Sequence, residues 1–105
     1  MSTKIFNKLV RDRIPEIILG KGKQCETKTI EGAELLSALA TKLVEEKDEF
    51  IEEPSVEELA DILEVVYGLI EHHETTLSEV ERVRQKKREE RGGFQKGVFL
   101  VSVSE

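Results

Sequence analysis

Two amphipathic runs separated by one proline constrain this chain more than any other feature. From Gly32 to Glu53 apolar side chains recur at helical spacing, and Leu36, Leu39, Leu43 and Phe50 fall on one stripe. Pro54 disfavours helical geometry in the residue before it and ends the run. Ser55-Val56-Glu57-Glu58 then opens the second run as a capping box: the serine side chain serves an orphan backbone N–H, with a glutamate three residues on. The second helix, from Val56 to about His73, carries Leu59, Ile62, Leu63, Val66, Leu69 and Ile70 on one broad apolar arc.

The remaining segments read as shorter elements. Pro15 suits a first helical turn, and Gly20 and Gly22 suit a helix end, so a short helix spans about Ile14 to Leu19. Lys23 to Ile30 reads as extended. Thr76-Leu77-Ser78-Glu79 is a second capping box and opens a charged helix from Leu77 to Arg91, stopped by Gly92-Gly93. Gly97-Val-Phe-Leu-Val-Ser-Val-Ser is rich in β-branched residues and reads as a strand. The expected fold is all-α, a small antiparallel helix bundle, with a short β-ribbon formed by Lys23–Ile30 and the C-terminal strand.

A chain of 105 residues makes one domain, residues 1–105. Aromatic content is 5% with no Trp, so the core must be aliphatic and small, and a second subunit becomes a natural further source of burial. The formal net charge of -6 argues against binding nucleic-acid polymers or anionic membranes. It suits a protein that holds divalent cations, although an acidic solvated surface has the same composition. The lone Cys25 excludes an intramolecular disulfide and agrees with a reducing compartment; Gln24 and Glu26 beside it offer nothing to activate a thiolate. No signal-peptide pattern and no apolar run near 20 residues is present, so the expected location is the cytoplasm.

Glu-x-x-Glu spacing means little in a chain this rich in glutamate; the helix face discriminates. With Leu36 at zero and about 100° per residue, Leu39, Leu43 and Phe50 lie near about −60°, −20° and −40°. Glu46 falls at about −80°, inside the stripe, and Glu49 at about −140°, on its rim, while Glu45 points to the other side. On the second helix, with Leu59 at zero, Val65 and Leu69 lie near about −120° and −80°, Glu58 between them at about −100°, and Asp61 at about −160° on the rim. Packed antiparallel through these faces, the two helices bring four carboxylates together. Unpaired carboxylates are costly to bury and repel one another, so protein cations or a metal must neutralise them. Oxygen donors without nearby His or Cys suit Mg2+ or Mn2+. The plainer reading is that Glu58 only caps its helix and Glu46 keeps its head in water.

Glu45-Glu46-Lys47-Asp48-Glu49, a short spacer, then Glu58-Leu59-Ala60-Asp61 resembles the EExxE…ExxD signature of the MazG-like all-α NTP pyrophosphohydrolases. Asn7-Lys-Leu-Val-Arg-Asp-Arg-Ile-Pro-Glu-Ile-Ile and Lys86-Lys-Arg-Glu-Glu-Arg-Gly-Gly-Phe94 resemble the phosphoribosyl-ATP pyrophosphohydrolase-like branch, so the resemblance covers nearly the whole chain. It implies a bundle often completed by a second subunit, as a homodimer or dimer of dimers. It implies Mg2+ held by Glu46, Glu49, Glu58 and Asp61. It also implies hydrolysis of a nucleoside triphosphate between the α and β phosphates, with Glu46 and Glu49 at the reacting centre. Glu45 belongs to the signature although its face points away from the stripe.

A triphosphate needs further cations. Lys87 and Arg91 lie one turn apart on one face, with Arg84 on the same side, and the resemblance matches a Lys-x-x-x-Arg element that contacts phosphates in relatives. Lys8 and Arg11 are a second basic pair; Asp12 is positioned to cap the first helix. His72 and His73 point about 100° apart and cannot easily share a metal. Tyr67 and Phe94 could stack on a base, but both are expected in the core. Neither a Walker A sequence nor Gly-x-Gly-x-x-Gly occurs. The expected activity is house-cleaning hydrolysis of nucleotides. The rivals are phosphoribosyl-ATP as substrate, in histidine synthesis, and a non-enzymatic helical module whose acidic face binds a partner.

Overall fold

The computed structural model describes residues 2–105. Four helices follow one another: α1 (Ile14–Gly20), α2 (Gly32–Glu52), α3 (Val56–His72) and α4 (Leu77–Arg91). The protein is all-α, and the two long helices start where their sequence signals place them.

The α2–α3 hairpin is the centre of the fold. Pro54 and Ser55 make the turn, and Ser55 Oγ accepts from the backbone N–H of Glu58 at 3.1 Å, capping α3. At the far end His72 Nε2 donates to the carbonyl of Gly32 at 2.9 Å, tying the end of α3 to the start of α2. The helices therefore run antiparallel. Between them Leu39, Val65 and Ile70 are buried. A Cβ on Gly68 would lie 3.0 Å from Leu39 Cδ2, so the missing side chain lets α2 approach. Burying an aliphatic side chain is worth about 1.5–3 kcal/mol, and three of them are a small core for a chain of 105 residues. Much of the expected stripe stays uncovered, with Leu36, Leu59 and Leu63 exposed.

α4 holds itself together rather than packing. Thr76 Oγ1 accepts from the Glu79 N–H at 3.1 Å, and the i,i+3 pairs Arg82–Glu79 and Arg84–Glu81 line its surface at 2.7 and 2.9 Å. Every residue of α4 except Val80 is exposed. Its polar periphery offers no apolar stripe to bury, so it touches α3 far less than α2 does. Gly92, at φ +82°, takes a left-handed conformation that other residues resist and stops the helix. The chain measures 65 × 32 × 26 Å.

Several expectations need correction. The β-ribbon does not form: neither Lys23–Ile30 nor the segment from Gly97 carries a strand among the described residues. A lone two-stranded ribbon is marginal in water, and Val98, Phe99, Leu100, Val101 and Val103 have no face to cover. Phe94 is wholly exposed and Tyr67 lies at the surface, so neither is a core residue. Asp12 makes no cap; Arg13 occupies that position and makes no side-chain capping hydrogen bond. Among the described residues no helix is long and apolar enough to cross a membrane.

Candidate metal centre

The antiparallel register sets Glu46 of α2 against Glu58 and Asp61 of α3, each with one carboxylate oxygen within 4.8 Å of the other two. Glu46 is 6% exposed. Its Oε1 takes Lys42 Nζ at 3.2 Å, but its Oε2 is buried without any hydrogen-bond partner, and so is Oε2 of Glu58. A buried acceptor left unpaired costs about 1–3 kcal/mol, more when charged. Two such oxygens on residues of one carboxylate trio make a site that gains from a cation. Glu58 stands at the N3 position, yet its side chain does not reach back to the Ser55 N–H: the serine caps, and the glutamate turns to the cluster.

Electrostatics distinguish the neighbouring glutamates. Burial pushes the Glu46 carboxyl above its ordinary value; the Lys42 hydrogen bond opposes this and the like charge of Glu49 adds to it. Glu45 also loses solvation, but the hydrogen bond from Lys8 and the charge of Lys42 hold it below the usual range. Burial works against the charge on Lys42, and the Glu46 and Glu45 carboxylates together raise it above the ordinary lysine value.

The residues singled out by sequence separate into four groups. Glu46, Glu58 and Asp61 converge. Glu49 acts on Glu46 through its charge but is exposed and stands outside the trio. Lys8 and Arg11 reach the rim of the cluster: Lys8 Nζ lies 3.1 Å from Glu45 Oε1, and Arg11 Nη2 lies 2.7 Å from Asp61 Oδ1. Lys87 and Arg91 lie instead on α4, where with Arg82, Val83, Lys86 and Glu90 they line a shallow hollow of about 270 Å³. Among the described residues neither makes an ion pair. Sequence reasoning passed over Lys42, which sits 18% exposed between Glu45 and Glu46. The i,i+4 spacing of Lys42 and Glu46 was the available signal.

Chemically, three carboxylates on two helices can hold a divalent metal, and an all-oxygen donor set suits a hard ion. The two unpaired buried oxygens fit that role, because a cation supplies the partner the protein does not. Comparison of the chain with family models, with curated proteins and with solved structures returns no match.

Proposed function

We propose that this protein is a Mg2+-dependent nucleotide pyrophosphohydrolase of MazG-like type, which cleaves a nucleoside triphosphate between the α and β phosphates. One observation carries the reading: buried oxygens of Glu46 and Glu58 lack partners in a carboxylate trio spanning 4.8 Å. Structural glutamates pair or face water; a binding site leaves acceptors waiting.

Glu46, Glu58 and Asp61 would hold the ion, with Glu49 beside them as a fourth ligand. Mg2+ bound there polarises phosphate oxygens and acidifies water; Mn2+ serves the same chemistry. Glu49, exposed and adjacent, orients the attacking water or takes its proton. Lys8 and Arg11 supply positive charge at the rim, Lys as a point charge and Arg as a fork for phosphate oxygens. Lys87 and Arg91 bind the outer phosphates. Leu36, Val44, Ile51, Leu59 and Leu63 are exposed on α2 and α3 and invite a second copy, giving a homodimer or dimer of dimers. Such assembly is the route by which the basic hollow on α4 meets a carboxylate trio. The exposed free thiol of Cys25 suits a reducing cytoplasm.

The test is pyrophosphate release by the purified protein with Mg2+ and a panel of canonical and damaged nucleotides. Monophosphate and pyrophosphate in equal amounts support the proposal. Turnover of phosphoribosyl-ATP alone would assign the protein to histidine synthesis, and no turnover under any condition would leave a helical interaction module.

A further inference from the structure

The segment before α1 lies across the helical pair as a strap, and charge fastens it there. Leu9 and Val10 are half-buried, and among the described residues its side-chain hydrogen bonds to the hairpin are Lys8 to Glu45 on α2 and Arg11 to Asp61 on α3. Both acceptors flank or belong to the carboxylate trio. Arg11 has a second acid within reach: its Nη1 lies 3.9 Å from Glu64 Oε1, one turn farther along α3 and outside the trio. The guanidinium therefore stands between two carboxylates of one helix face, one shared with the trio and one not.

We propose that Arg11 is a built-in counter-ion for Asp61 that a divalent cation displaces toward Glu64, so that ion binding loosens the N-terminal strap. The proposal rests on the trio being a metal site. Asp61 and Arg11 are 39% and 54% exposed in their side chains, and an ion pair so open to water is weak. A divalent charge on the same carboxylate repels the guanidinium and offsets much of the attraction that holds the pair. Glu64 gives Arg11 a place to go without entering bulk water, which keeps the exchange easy. Once off Asp61, Arg11 keeps the guanidinium donors that Glu64 does not use, and an anionic phosphate beside the ion can take them up. The order of events follows: the ion first, then the anion.

Mn2+ is the probe, titrated against the full chain and read by the electron paramagnetic resonance of the free ion. Arg11→Gln is expected to bind Mn2+ about five-fold more tightly, because a competitor is gone. A purely orienting role for Arg11 would have the opposite sign, so weaker or unchanged binding in Arg11→Gln overturns the proposal. Circular dichroism checks that the variant keeps its helix content, and Arg11→Lys, which keeps the charge but not the fork, is expected to fall between the two. Hydrogen exchange on the unaltered chain needs no variant: saturating Mn2+ should speed exchange of the amides of residues 8–13, and slowed or unchanged exchange there refutes the loosening. Absence of Mn2+ binding by the unaltered chain would remove the metal site itself, an outcome distinct from a site that binds normally with Arg11 indifferent.

Discussion

Leu39 of α2 packs against the bare backbone of Gly68 on α3, with its Cδ2 3.0 Å from where a Cβ would stand. Two turns farther along α2 is Glu46, and two turns back along α3 is Asp61. The same antiparallel register therefore governs both the tightest packing of the hairpin and the meeting of its acids. Close approach at one end keeps the helices near enough, about 10 Å along the axis, for three carboxylates to share one space.

Gly68→Ala puts a methyl group against Leu39. Relief of the glycine's helix penalty is worth about 1 kcal/mol and overpacking costs about 1–3 kcal/mol, so the alanine variant should lie between neutral and about 2 kcal/mol destabilised. Gly68→Val adds two more carbons with no further gain in propensity and should lose about 2–3 kcal/mol. Chemical denaturation of the two variants checks the order.

Glu46→Gln and Asp61→Asn should each lower the rate of pyrophosphate release more than about a hundredfold, since a neutral amide is a poor ligand for a hard cation. Both variants should stay folded. Undiminished turnover in Glu46→Gln would end the assignment of the trio.

Stability should depend on pH in opposite ways for the two adjacent glutamates. Burial holds the folded Glu46 carboxyl above its ordinary value, so its stabilising contribution is present in acid and is lost as pH rises through the raised value. Despite its own desolvation, Glu45 is held low by Lys8 and Lys42, so its contribution is present above the ordinary value and lost as pH falls through the lowered one. Glu46→Gln should therefore melt higher than the parent at about pH 7 and lose that advantage near about pH 4, while Glu45→Gln should melt lower at about pH 7. Lys42 keeps Glu45 as a partner at 3.4 Å in the first variant, which prevents an orphaned ammonium. Thermal melts at the two pH values decide both.

Lys87→Ala should raise KM about tenfold and leave kcat within about threefold, the pattern of a phosphate contact made alike in ground and transition states. Steady-state kinetics on the best nucleotide tests it. An unchanged KM would detach the basic hollow of α4 from the substrate.

Local signals sufficed for the helices. The Ser55 and Thr76 caps, Pro54 and Gly92 each act within a turn of themselves, and the helix starts follow from them. The faces of Glu46, Glu58 and Asp61 were legible for the same reason, since rotation per residue is a property of one helix. The β-ribbon does not form because β propensity becomes structure only against a covering face, and Val98 to Val103 have none among the described residues.

Sequence alone thus determined four helical segments and the inward aim of the carboxylates, because backbone hydrogen bonding and helical periodicity are short-range. Only the tertiary structure decided which acids meet and which cations attend them. Glu49 stays at the rim, Lys42 covers Glu46, and Arg11 reaches Asp61 from fifty residues away. Those pairings depend on how closely two helices approach and where a distant strap crosses them, and no periodicity within a helix encodes either.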